Sequence, residues 1–124
     1  MGLDMYLEKV DGVYNQQEML EKYQDLEFEE IGYWRKHTDL NQYFAGVYYD
    51  KGGQKEFNTI PLVLSEKDVK ELLDGLEDGF IQRNVKSSFS RTNEEDWRLT
   101  KVYFKKALEE VDFSQETLVY YCWW

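Results

Sequence analysis

The chain has little of what most small-protein chemistry depends on. Its 124 residues include one Cys, one His and one Pro. A lone thiol, Cys122, excludes an intramolecular disulfide framework and a cysteine-based zinc site, and fits a reducing cytoplasm. A lone imidazole, His37, excludes a two-histidine phosphoesterase and leaves a Cys122–His37 pair as the one nucleophilic combination to weigh. Basic residues are also scarce, with 15 Lys and Arg against 25 Asp and Glu, a net charge of −10. Phosphate-backbone binding needs clustered cations, and an anionic membrane repels such a chain, so neither general nucleic-acid binding nor membrane attachment is expected. No stretch approaches the roughly 18 apolar residues that a membrane span needs. Met1 to Val10 carries Asp4, Glu8 and Lys9 where a signal peptide would be apolar. Gly52-Gly53 lacks the Lys-Ser/Thr that would make a phosphate loop.

Aromatic residues are plentiful, at 17%: ten Tyr, seven Phe and four Trp. Rings give large contact area at low rotamer cost, in a core, a ligand pocket or a subunit interface. A homo-oligomer that buries some of them between subunits is expected. The length is that of one domain, residues 1–124.

The patterning is that of an α+β domain: a mainly antiparallel sheet of four or five strands packed by two long helices and one or two short ones. Residues 2–10 alternate, with Leu3, Met5 and Leu7 on one face and Asp4, Tyr6 and Glu8 on the other, a half-buried strand ended by Asp11-Gly12. Asn15 caps a short helix over Gln16 to Gln24. Leu26 to Glu30 is an acidic loop or a charge-guarded edge, and Ile31 to Arg35 is a second strand. Thr38-Asp39 caps a helix through Leu40, Tyr43, Phe44 and Val47. Phe57 to Leu64 is extended, and Pro61 makes it an edge or bent strand. Ser65, with Asp68 in the first turn, opens the clearest helix, whose stripe is Val69, Leu72, Leu73 and Leu76. Thr92 and Glu95 form a capping box for the longest helix, about 93–111. Residues 117–124 are a strand by residue type, placed in the sheet beside the first.

Two places turn basic in this acidic chain. The first is Tyr33-Trp34-Arg35-Lys36-His37, where two rings, two cations and the only imidazole follow Glu27, Glu29 and Glu30. The second is Phe80 to Arg91, which carries Arg83, Lys86, Ser88 and Arg91 and no acid. Tyr33, Trp34, Arg35, Lys36 and His37 have the chemistry to stack a base and hold a phosphate, and Arg83, Lys86, Ser88 and Arg91 would form a second anion-binding wall. The competing expectation is that Trp34 is core and Arg35 pairs with Glu29 or Glu30. Alternation puts Trp34 and Lys36 on one face, Tyr33 and Arg35 on the other. His37 follows two cations, which would lower its pKa. The carboxylates Asp4, Glu8, Glu29 and Glu30 read as a solvated face. No catalytic residue, metal or cofactor is expected.

The opening Met1-Gly2-Leu3-Asp4-Met5-Tyr6-Leu7, followed by Glu30-Ile31-Gly32-Tyr33-Trp34-Arg35-Lys36, resembles a family of small phage and prophage proteins of unknown function. The similarity continues through Ser65 to Leu76, Trp97 to Leu108 and the tyrosine-rich tail. The chain departs from the family pattern after the basic turn, where Asn41 stands near a histidine position. The resemblance implies a phage origin and a host-cell cytoplasmic setting, with no activity attached.

Three functions are compatible with these features. One is a binding protein that captures an anionic aromatic small molecule, nucleotide-like, and holds it uncleaved, as a phage counter-defence protein would hold an immune signal. Another is an acidic interaction module, net −7 over residues 1–30, that blocks a basic host protein. The last is a nucleotide hydrolase.

Overall fold

The computed structural model describes residues 2–124. The sequence of elements is β1 (Asp4–Asp11), α1 (Gln16–Lys22), β2 (Glu29–Arg35), α2 (Thr38–Asp50), β3 (Leu62–Leu64), α3 (Glu66–Glu77), α4 (Phe80–Asn84), α5 (Glu94–Glu110) and β4 (Glu116–Trp123), with a 3-10 turn at Tyr23–Asp25. The four strands form one antiparallel sheet in the order β2-β1-β4-β3. This is the expected α+β architecture with four strands, and α2 makes a third long helix beside α3 and α5.

The sheet is covered on two sides, unequally. On one, Met5, Leu7, Trp34, Leu118, Tyr120 and Cys122 meet Phe44, Leu72, Leu76 and Phe104 in the main core. On the other, a small cluster of Val10, Met19 and Val119 lies under the α1 segment, with Tyr23 packed against it. The central strand β4 is therefore apolar at successive positions, because both of its faces are buried. Tyr120 lies at the centre of the ring packing, 4.3 Å from Phe44 and 6.0 Å from Phe57 between centroids.

Local chemistry explains most boundaries. Asn15 and Ser65 each accept from the amide three residues on, and Glu18 and Asp68 reciprocate. The box on α5 sits one residue later than expected: Asn93 caps and Asp96 reciprocates, in place of Thr92 and Glu95. Neither Thr38 nor Asp39 caps α2, whose N-cap is His37 without a side-chain bond. Of the expected strand over 57–64, only Leu62–Leu64 pairs regularly. The segment before it follows β4 through separate bonds, Thr59 N–H to Cys122 O at 2.9 Å and Trp124 N–H to Asn58 Oδ1 at 3.0 Å.

At Gly32 the Tyr103 side chain of α5 lies directly over β2. A Cβ there would lie 2.6 Å from the Tyr103 ring and 3.0 Å from Tyr103 Cβ. Gly32→Ala is expected to cost about 1–3 kcal/mol through overpacking, measured as a fall in the urea midpoint with an unchanged slope.

Candidate functional site

A left-handed residue decides how the first basic stretch is displayed. Lys36 has φ +62°, so the alternation of β2 stops at Arg35 and the chain turns before α2. Trp34 and His37 thereby both enter the core, while Lys36 stays at the surface. Trp34 is 2% exposed and His37 0%. Trp34 stacks near Phe104, and His37 meets Trp97 edge-on at 4.4 Å. Neither ring is accessible to a ligand.

Their polar atoms are satisfied by a buried network with one consistent set of donors. The Thr100 hydroxyl donates to Asp96 O at 2.7 Å. Having spent its proton, Thr100 Oγ1 accepts from Trp34 Nε1–H at 3.0 Å and from His37 Nε2–H at 3.1 Å. His37 is then neutral with Nδ1 bare, and accepts from the Thr92 hydroxyl at 2.9 Å. Thr92 Oγ1 in turn accepts from the Asp39 amide at 3.0 Å. The imidazole pKa falls to about 3 because burial disfavours its charged form, a pull that the nearby Asp39 carboxylate only partly offsets. The direction is the expected one; the cause is burial, not Arg35 and Lys36. Cys122 is equally inert, buried with its thiol pushed up to about 12 by desolvation.

The first turn of α2 ties the second basic stretch to the first. Asp39 is 1% exposed and accepts from Ser87 N–H and the Ser90 hydroxyl, both at 2.9 Å, with Lys86 Nζ at 3.9 Å. Thr38 Oγ1 accepts from Arg91 N–H at 2.8 Å. These bonds hold residues 86–92 against the start of α2.

Beside this junction is a groove of about 650 Å³. Lys36, Ser88 and Arg91 line it, together with Asn41, Tyr49, Phe89, Trp124 and the single carboxylate Glu56. Tyr120, from the core, donates to Asn41 Oδ1 at 2.7 Å and so fixes that amide at the groove floor. Among the described residues, neither Lys36 nor Arg91 forms an ion pair with a carboxylate. Phe89 is 86% exposed and Trp124 39%. The structure thus brings three of the nine expected site residues into one groove. Tyr33 and Arg35 lie on the opposite face of the sheet, with Arg35 over Gly2. Lys86 turns to Asp39, and Arg83 folds back to Asp78 O at 3.1 Å.

Sequence reasoning missed Tyr49, Phe89 and Trp124 as groove residues. A phenylalanine standing alone among Ser88, Ser90 and Arg91 was the available signal for Phe89. A larger cleft of about 990 Å³ runs between α1 and residues 51–62; its Lys51 is paired with Asp68, and its Lys55 shares the walls with two carboxylates, Glu21 and Glu56. No group of three or more His, Cys, Asp or Glu among the described residues is placed to hold a metal ion. No described helix is long and apolar enough to cross a membrane. Comparison of the chain with family models, curated proteins and solved structures gives no match.

Proposed function

We propose that this protein binds a small anionic molecule with a flat ring, of nucleotide type, in the groove between α2 and residues 86–92, and holds it without turning it over. One observation carries the reading: two cations without carboxylate partners, Lys36 and Arg91, share a groove with three exposed rings in a protein of net charge −10. Other cations such as Arg35, Lys55 and Arg83 also lack carboxylate partners among the described residues; what singles out Lys36 and Arg91 is that they meet in one groove with exposed rings, which favours an external anion there. Arg91 suits a phosphate bidentately, and Phe89, Tyr49 and Trp124 offer faces for stacking. The volume lies within the ordinary range for ligand sites, roughly 300–1,000 Å³. Turnover is disfavoured because the groove has no His or Cys and a single carboxylate, Glu56. The resemblance to phage proteins supports a ligand made by the host, such as a nucleotide immune signal that a phage gains by sequestering.

The test is thermal unfolding against a panel of linear and cyclic nucleotides and ADP-ribose derivatives. A ligand at a hundred times its Kd adds about 2.7 kcal/mol, a rise of several degrees for a domain of this size. The expected result is a shift with at least one compound, recovered intact, that is lost in Arg91→Ala and kept in Arg83→Ala. No shift across the panel would reject the reading in favour of the acidic interaction module.

A further inference from the structure

The two edges of the sheet are treated differently. The β3 edge is closed by side chains. The Gln16 amide donates to Pro61 O at 2.7 Å and accepts from Val63 N–H at 2.8 Å, and Lys51 Nζ donates to Val63 O at 3.1 Å. Gln16 thus acts as a short substitute strand, one of the ways an edge is blunted.

The β2 edge has no such cover. Lys36 N–H bonds back to Leu3 O at 2.9 Å. The pairs Met5–Trp34 and Leu7–Gly32 continue that phase. In an antiparallel ladder the intervening residues point their backbone groups the other way, so Tyr33 and Arg35 present both N–H groups and both carbonyls outward. Among the described residues no side chain bonds to them. The ladder is irregular one step earlier, where Leu7 pairs with Gly32 but Glu8 with Glu30. That irregularity leaves Gly32 to Arg35 as a straight segment, separate from Glu29 and Glu30.

We propose that β2 pairs with β2 of a second copy, antiparallel about a two-fold axis at Trp34, joining the sheets into one of eight strands. The occupant follows from self-complementarity. Two outward residues two positions apart match their own copies in reverse: Tyr33 opposes the second copy's Arg35, Arg35 opposes the second copy's Tyr33, and each pair exchanges two N–H···O bonds. Directly opposed residues lie on the same face, so each Tyr33 ring meets a guanidinium, a cation–π pair made twice. Tyr33 donates its hydroxyl to Asp4 Oδ1 at 2.5 Å and packs one side of its ring near Tyr6, but it is 37% exposed, and Arg35 is exposed with no ion pair, so the outer face of the ring and the guanidinium are open to a second copy. In this register no glutamate faces a glutamate across the axis. An isologous contact of this kind closes at two copies. The two residues that make the contact, Tyr33 and Arg35, lie on the other face of the sheet from the groove.

Sedimentation equilibrium of the full chain tests it, from about 1 to 200 μM in 0.15 M salt, where repulsion between acidic copies is screened. The expected result is a concentration-dependent rise towards twice the 15.0 kDa chain mass. Arg35→Glu should weaken association at least tenfold, and Arg35→Ala, which sets no second carboxylate opposite Asp4, should also weaken it with thermal unfolding of the monomer little changed. Adding Tyr33→Arg to that variant should restore it, since each new arginine then opposes a new glutamate. A monomer throughout the range, or an Arg35→Glu variant that associates like the wild type, would overturn the proposal.

Discussion

Acidification is expected to destabilise this protein by about 1.4 kcal/mol for each pH unit below 6.5, the worth of one proton bound by only one state. His37 is the source. Its folded pKa is lowered to about 3, whereas in the unfolded chain it titrates near 6.5. Between those values the unfolded state takes up a proton that the folded state refuses. The stabilisation is complete above pH 6.5 and is lost progressively as pH falls to about 3. The total approaches roughly 5 kcal/mol, comparable with the whole stability of an ordinary domain. Protonation is refused chiefly because the ring is fully buried, sealed against Trp97, where an imidazolium would lose its hydration and regain only part of it from Asp39. Urea midpoints at pH 7, 6 and 5 check it in wild type and His37→Gln, whose uncharged amide offers an NH₂ donor group and a carbonyl acceptor in place of the two ring nitrogens. The two curves should converge as pH falls; parallel curves would remove His37 as the cause. The lowered carboxylates Asp68, Glu95, Asp112 and Glu116 stay largely ionised in both states above pH 5, and Glu8, raised by burial, acts in the opposite sense; both contributions are common to wild type and His37→Gln.

Asp39→Ala should have the next largest effect, and on two readouts. The carboxylate is the shared acceptor for Ser87 N–H and the Ser90 hydroxyl. Removing it leaves these donors without a partner, a cost of about 1–3 kcal/mol. It also loosens residues 86–90, and with them Ser88 and Phe89, while Arg91 N–H keeps its bond to Thr38. Ligand affinity should therefore fall at least tenfold although Asp39 itself is buried away from the groove. Asp39→Asn, which keeps one carbonyl acceptor, should fall between alanine and wild type on both scales. Calorimetric titration together with thermal unfolding reads the two effects. A variant with lost stability but wild-type affinity would show that the loop keeps its place by other means.

Where local chemistry decides alone, the sequence was readable. The alternation of Leu3, Met5 and Leu7, the Ser65–Asp68 box and the ring-rich strand at 117–123 each lead to the observed element. The failures come from residues whose side chains had two uses. Thr92 has the right type for a cap, but its hydroxyl is engaged by His37 and the Asp39 amide, so the cap passes to Asn93. Thr38 and Asp39 look like a cap for α2, yet they serve the 86–92 loop, some fifty residues away in sequence. At the site, the chemistry of Lys36, Ser88 and Arg91 was legible in two basic stretches. Their meeting in one groove was not, because it depends on the buried Asp39 linkage. Trp34 and His37 are misread by residue type alone, since a ring that stacks on a ligand and a ring that fills a core have the same composition. The turn at Lys36, which sends His37 inward, leaves no mark in the residue types around it.

The groove's role as an anion-and-ring site is tested most directly by isothermal titration. The compound giving the largest thermal shift is titrated into wild type and into the double variant Lys36→Ala, Arg91→Ala. Saturable binding at one site per chain is expected, with Kd in the micromolar range or below, and at least tenfold weaker binding in the variant. Equal affinity in the two proteins, or titration of every panel compound without binding heat in the wild type, would contradict it.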